Sequence, residues 1–262
     1  MVQADSSQEV LITILRHGET ADNLARIVQG QKDTPLNATG ELQAKVAGQH
    51  LRKAAAGTGM VFDVAFSSDL QRARKTADIV LEQIKSDSDE SILVIKEDKR
   101  LRERSFGVLE GHLWDPNADT STTEPLPMLL SRLFSFWDDL LPSTCDSKTP
   151  HVLLSPSEWQ LASNPSSGPL KILIVTHGAA IRTFIGGLVE DPDRSVKVGP
   201  KVEKGFLEEH VKNTGITEVR AFKKEGDENW RMVLERYSDA RHLESKSGAG
   251  DHEGAISADQ GV

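Results

Sequence analysis

Residues 10–23, VLITILRHGETADN, open with six residues of which five are apolar and β-prone, and then change character at Arg16, His17 and Gly18. Such a run predicts a buried strand. The glycine behind it lets the chain turn sharply and bring its backbone close to a ligand. The same device recurs far along the chain. LKILIVT (170–176) is apolar nearly throughout, as a central parallel strand covered on both faces is, and it delivers His177 and Gly178 into a helix that runs from Ala179 to about Leu188.

Working outward, strand and helix patterns alternate. After the loop DTPLNATG (33–40), Leu42, Val46, Ala47 and Leu51 set one apolar stripe on a helix. VAFSS (64–68) is a short strand leading into a helix over 69–84, with Ser68 as N-cap and Leu70, Ala73, Ala77, Val80, Leu81 and Ile84 inward. ILVI (92–95) is a third strand, and GITEVRAF (215–222) and WRMVLERY (230–237) form a closing β pair. The alternation predicts a three-layer α/β/α sandwich with a mostly parallel central sheet, in which ligands sit beyond the carboxyl ends of the strands.

Residues 112–169 carry eight of the eleven prolines, and with STCDSKTP (143–150) and SNPSSGP (163–169) they read as an insertion or lid. Only EPLPMLLSRLFSFWDDLL (124–141) clusters its apolar residues as a helix does. Trp114, Phe134, Trp137 and Trp159 are candidates to wall an active site, although core packing suits most of them better. Residues 1–243 are expected to form one domain around this insertion, and the small, polar, glycine-rich residues 244–262 a disordered tail.

The composition is 37% hydrophobic and 27% charged, ordinary for a globular protein, and no apolar stretch reaches the roughly 18 residues of a bilayer span. A net charge of −9 opposes nucleic acid and anionic lipid over most of the surface, so neither nucleic acid nor membrane is expected as a partner. MVQADSSQEV lacks the basic and apolar regions of a secretory signal, and Cys145 is the only cysteine, which excludes an internal disulfide framework. These features predict a cytoplasmic protein, with the nucleus also open to it. The eight histidines show no ligand-like spacing, so no metal is expected.

Four segments converge on one edge of such a sheet. Arg16 and His17 end the first strand, and His177 ends the fourth. Arg72, in FSSDLQRARKTA, lies in the first turn of a helix, where a cation opposes the helix dipole unless an anion compensates. Glu103, in LRERSFGVLEG, follows the third strand. Two imidazoles, two guanidiniums and a carboxylate suit phosphoryl transfer through a histidine. A neutral imidazole is nucleophilic near pH 7, arginine forks match phosphate oxygens, and a carboxyl group can serve the departing oxygen and then the attacking water.

LRHGETADN, SSDLQRARKTA, LRERSFGVLEG and VTHGAAIR resemble, in order, the four signature blocks of the histidine phosphatase superfamily in its phosphoglycerate mutase-like branch, over residues 10 to about 111 and 170 to about 240. The resemblance implies that His17 is the phosphorylated nucleophile, that Arg16, Arg72 and His177 line the phosphate pocket, and that Glu103 donates and accepts the proton. It implies that Asn23 contacts phosphate, that Gln29 and Gly30 belong to a substrate-binding loop and Gly178 to the site, and that neither metal nor other cofactor is needed.

Two chemistries remain within the family, because water or a second substrate hydroxyl can take the phosphoryl group. Cofactor-dependent mutases of the family place a lysine and an arginine pair after the glutamate block and a tyrosine close behind it. Here Arg132 and Lys148 are the only strong bases in 107–168, and Phe106 stands at the tyrosine position. The expectation is therefore a phosphatase acting on a small phosphate ester, of the sugar phosphate or phosphoglycerate class, with loops similar to those of fructose-bisphosphatase-like and broad-specificity members. A mutase and a non-catalytic scaffold of the same fold are the alternatives. A nucleotide-binding module fails: in AAGTGMVF (55–62), Phe62 replaces the third glycine, and the motif precedes a strand.

Overall fold

The structure, a computed structural model, describes residues 8–55, 62–85, 93–115, 117–142, 153–162, 168–194, 196–224 and 227–244. Its elements run β1 (Gln8–Arg16), α1 (Ala21–Leu24), α2 (Ala38–Ala54), β2 (Val64–Ser67), α3 (Gln71–Ile84), β3 (Ile95–Glu97), α4 (Leu126–Leu140), α5 (Pro156–Ala162), β4 (Leu170–Thr176), α6 (Gly178–Glu190), β5 (Val196–Val198), β6 (Ile216–Lys223) and β7 (Arg231–Asp239). The strands form one sheet in the order β3-β2-β4-β1-β6-β7-β5, parallel except where β6 pairs antiparallel with β1 and β7.

The apolar runs at β1 and β4 are continuous because both sheet faces are covered. Val10, Ile12 and Ile14 of β1 and Leu170, Ile172 and Ile174 of β4 pack with α4 and α6; Leu15, Leu173 and Val175 point the other way, toward α2 and α3. This is the three-layer α/β/α sandwich that the alternation predicts. β1 and β4 lie in parallel register from Val10↔Leu170 to Arg16↔Thr176, so their ends coincide.

Local differences from the sequence reading have local causes. The inner face of α2 is Gln43, Ala44, Ala47, Gly48 and Leu51, and Leu42 is 47% exposed. The stripe is rotated because α2 approaches α3 closely: a Cβ on Gly48 would meet the Val80 carbonyl at 2.8 Å. Helix α3 starts at Gln71, and Ser68 does not cap it; Asp33 Oδ1, from a distant loop, accepts the Gln71 N–H at 2.7 Å. The third strand is Ile95–Glu97, later than 92–95, and Val94 is exposed. The three-residue β5, with a lysine at its centre, is too short to leave a pattern.

Within the proline-rich segment, α4 buries Leu129, Leu133, Phe136, Trp137 and Leu140 in the core of the α6 face. Trp159 meets Trp230 edge-on and Phe134 meets Phe184, whereas Trp114 is 46% exposed beside Phe106. Residues 56–61, Cys145, most of the two loop tracts and the tail from 245 lie outside the described residues.

Candidate active site

Beyond the ends of β1 and β4 the chain forms a shelf in which four successive backbone N–H groups each have a partner. His17 donates to Thr176 O at 2.9 Å, Gly18 to Thr76 Oγ1 at 3.0 Å, Glu19 to Gln43 Oε1 at 2.9 Å and Thr20 to Asn23 Oδ1 at 3.2 Å. On the acceptor side, Asn213 Nδ2 and Thr214 N–H donate to His17 O and Arg16 O. Buried backbone polar groups must find partners, and here they come from α1, α2, α3, β4 and the segment before β6. Gly18 serves close packing more than a turn: a Cβ there would lie 2.4 Å from Gly40 O at the start of α2.

The shelf brings the predicted residues together. The rings of His17 and His177 are 5.2 Å apart between centroids and inclined by 59°. Gly178 begins α6 beside Arg16, whose Nη1 donates to Val211 O at 2.6 Å. Arg72, 1% exposed, is set apart from the solvated Arg74 and Lys75: its Nη1 and Nη2 donate to Lys32 O (2.6 Å) and Gly30 O (2.7 Å), while its buried Nε makes no hydrogen bond to any described residue. Gly30 has φ of 51°, in the left-handed region that glycine adopts without strain, and a Cβ there would strike the Glu110 side chain; the turn offers its carbonyl to Arg72. Asn23 and Gln29 are buried, and each uses its amide oxygen on Thr20.

Both histidines are held neutral. Burial pushes the pKa of His17 well below the ordinary 6.5, and the charges of Arg72 and Arg16 push the same way against a weaker opposing hydrogen bond to Gly18. Burial, Arg72, His17 and Arg16 do the same to His177, whose two ring nitrogens are buried and bond to no described residue. His17 Nδ1 lies 2.7 Å from Gly18 O. A carbonyl only accepts, so Nδ1 carries the proton and Nε2 presents a bare lone pair. Arg72 stays charged, its pKa lowered by burial to about 10 and supported by the neighbouring Glu103.

Glu103 reaches the site from the loop after β3. Its Oε1 accepts from Arg104 N (2.8 Å) and Ala180 N (3.0 Å), and its Oε2 from Ala179 N (3.1 Å), which seats the carboxylate on the N-terminus of α6. Neutral nucleophilic nitrogen, two guanidiniums and a carboxylate around one buried point can bind a phosphoryl group and move a proton beside it. Among the described residues no three His, Cys, Asp or Glu side chains are placed to hold a metal ion, and no helix is long and apolar enough to cross a membrane.

Sequence reading missed Thr76, Gln43 and Asn213, the anchors of the shelf. The available signal was a polar residue inside an apolar helical stripe, which Gln43 and Thr76 both are; Asn213 leaves none.

Residues 12–131 match the model of the histidine phosphatase superfamily (branch 1). The chain is 35% identical over 228 residues to fructose-2,6-bisphosphatase TIGAR B of Danio rerio, covering 79% of this chain and 84% of that protein. It is 28% identical over 239 residues to a broad-specificity phosphatase of Saccharomyces cerevisiae, covering 91% and 90%. Among solved structures, phosphoglycerate mutase from Bacillus anthracis superposes with a TM-score of 0.58 at 24% identity, over 90% of this chain and 96% of that one, so the fold is phosphoglycerate mutase-like.

Proposed function

Since the chain belongs to the histidine phosphatase superfamily and is a phosphatase-type enzyme, we propose that it hydrolyses a small phosphorylated metabolite, of the sugar phosphate or phosphoglycerate class, through a phosphohistidine on His17. The observation that carries this reading is the His17 Nδ1–H donated to Gly18 O, which leaves Nε2 unprotonated within 5.2 Å, ring to ring, of a second neutral imidazole. The named activities of the relatives in zebrafish and yeast support the hydrolytic outcome and the small-ester class.

In this reading Glu103 enters the cycle as the neutral carboxylic acid: His17 Nε2 attacks phosphorus, the bond to the ester oxygen breaks, and Glu103 gives that oxygen its proton. Water then attacks the phosphohistidine, Glu103 takes the water's proton, and inorganic phosphate leaves with His17 neutral again. Arg16, Arg72 and His177 donate to the equatorial oxygens, where charge accumulates at the transition state. Asn23 and Gln29, their amide oxygens already used, contribute N–H donors, while the Gly30 carbonyl holds Arg72 and Gly178 lies beside Arg16.

The test is chemical trapping. Rapid quenching with a labelled phosphate ester should yield a phosphoprotein stable to alkali and labile to acid, mapped to His17, with phosphate release from a panel of phosphorylated sugars and glycerates. Turnover without any acid-labile phosphoprotein, or label on another residue, overturns the mechanism.

A further inference from the structure

The loop that presents Glu103 has an unusual kind of support. The carbonyls of Arg100, Leu101, Arg102 and Glu103 are all taken by side-chain donors. Thr176 Oγ1 holds Leu101 O at 2.6 Å, and Gln31 Nε2 adds a bond to Glu103 O at 3.2 Å. The other three belong to one residue of α4. Arg132 Nη1 donates to Arg100 O and Arg102 O, both at 2.7 Å, and Nη2 to Glu103 O at 2.9 Å. Its remaining N–H groups go to Glu124, Nε to Oε1 at 2.7 Å and Nη2 to Oε2 at 2.9 Å.

A guanidinium has five N–H donors in one rigid plane, and these bonds use every one. Arg132 therefore has no donor left for a substrate, although it is one of only two strong bases between residues 107 and 168. Glu124 fixes the orientation of the plane, and the buried stripe of Leu129, Leu133 and Phe136 fixes the helix beneath it.

We propose that Arg132 is a positioning residue for Glu103: it clasps the loop backbone from α4 and sets the carboxylate's distance to the ester oxygen, leaving phosphoryl binding to the shelf. The inference rests on the proton-transfer role given to Glu103 above. Proton transfer requires contact at roughly 2.6–3.2 Å, so a small displacement of the loop impairs it first. All five N–H donors of Arg132 go to Glu124 and the loop carbonyls, so it donates to none of Arg16, His17 and Arg72. Lysine at 132 keeps the charge but lacks the planar fork, and cannot reproduce the clasp.

The experiment compares kcat/KM for p-nitrophenyl phosphate, whose leaving group needs little protonation, with that for glycerol phosphate, whose alkoxide needs it. It uses the full chain as wild type, Arg132→Lys, Glu124→Gln, Glu103→Gln and the Arg132→Lys/Glu103→Gln double variant, with Tm recorded for each. Arg132→Lys should lose about ten-fold more activity on the alkyl ester than on the aryl ester, and should add no further discrimination in the Glu103→Gln background. Equal losses on both esters, or the same added discrimination without Glu103, overturn the proposal. Should Arg132→Lys fail to fold, Glu124→Gln decides, since it keeps the arginine and loosens its anchor, together with the bond that Glu124 Oε2 accepts from Ser105 N of the same loop (3.2 Å): a shift of about three-fold in the same direction supports the clasp, and an unchanged ratio refutes it. Glu103→Gln without any discrimination removes the role of Glu103 and this inference with it. A discriminating Glu103→Gln beside an indifferent Arg132→Lys removes this inference alone.

Discussion

His17 is held by the sheet: its N–H bonds to the end of β4, its carbonyl is taken by Asn213, and the residue is 2% exposed, its ring beside that of His177. Glu103 is held by a loop, half-buried, with its carboxylate on the α6 N-terminus and its backbone clasped from α4. A sheet end shared by two parallel strands can move only with the core, whereas a loop held by side chains can shift when a helix shifts. In the mechanism proposed here, the phosphoryl pocket is thus built into the fold, and the proton-transfer group is adjustable from a segment whose composition differs from the rest of the chain.

The sharpest way to break this comparison is to remove the shelf's nucleophile. His17→Ala should lower turnover of any phosphomonoester by about 10⁴-fold or more, because no second nucleophile is aligned, and His177 sits at a different strand end. Activity within ten-fold of wild type on a generic ester would falsify the assignment. Arg72→Lys comes next. It keeps the cation but loses the fork that spans Gly30 O and Lys32 O, and kcat/KM should fall about 10²-fold for alkyl and aryl esters alike. A loss confined to alkyl esters would instead place Arg72 with the loop group.

Glu103→Gln tests the other half. The amide keeps one oxygen as acceptor for the α6 N-terminus and replaces the other with an NH2 group that cannot accept, while the loop backbone keeps its bonds to Arg132, so the clasp remains and the group that moves the proton is gone. Hydrolysis of alkyl esters should drop about 10²-fold and that of activated aryl esters much less. Uniform slowing would mean that Glu103 acts on phosphate binding, and the contrast between the two regions would vanish.

The same contrast governs what could be read from the chain. Arg16, His17 and His177 are legible because a buried parallel strand leaves a long apolar run, and a histidine that ends such a run has no apolar packing reason to be there. Arg72 was legible only through its place in the first turn of α3, and its burial comes from the carbonyls of Gly30 and Lys32, forty or more residues away. The sequence suggests a turn at Gly18, whereas the structure makes it a packing contact with Gly40. Asp33 capping α3 and Arg132 clasping the Glu103 loop were not legible at all. Both are single side chains reaching across the fold to satisfy backbone groups, and such reach leaves no periodicity.

The smallest expected effect concerns pH and separates the shelf from solvent. Burial first, and the charge of Arg72 next, lower the pKa values of His17 and His177 well below 6.5. Once the ester's own ionisation is accounted for, kcat/KM should change by less than about two-fold as pH falls through 6.5, where a free imidazole would be half protonated. Stability should behave oppositely. Between the depressed native pKa and 6.5 the unfolded chain binds protons that the native state does not, so stability is fully present above 6.5 and declines as pH falls through that window. His242, lowered to about 4 by burial and by His50, adds to the decline with the same sign. A falling Tm beside a flat kcat/KM between pH 7.5 and 6 is the expected pair of curves. An acid limb of kcat/KM centred near 6.5 would show that water reaches the His17 ring, and would move the nucleophile out of the region held by the core.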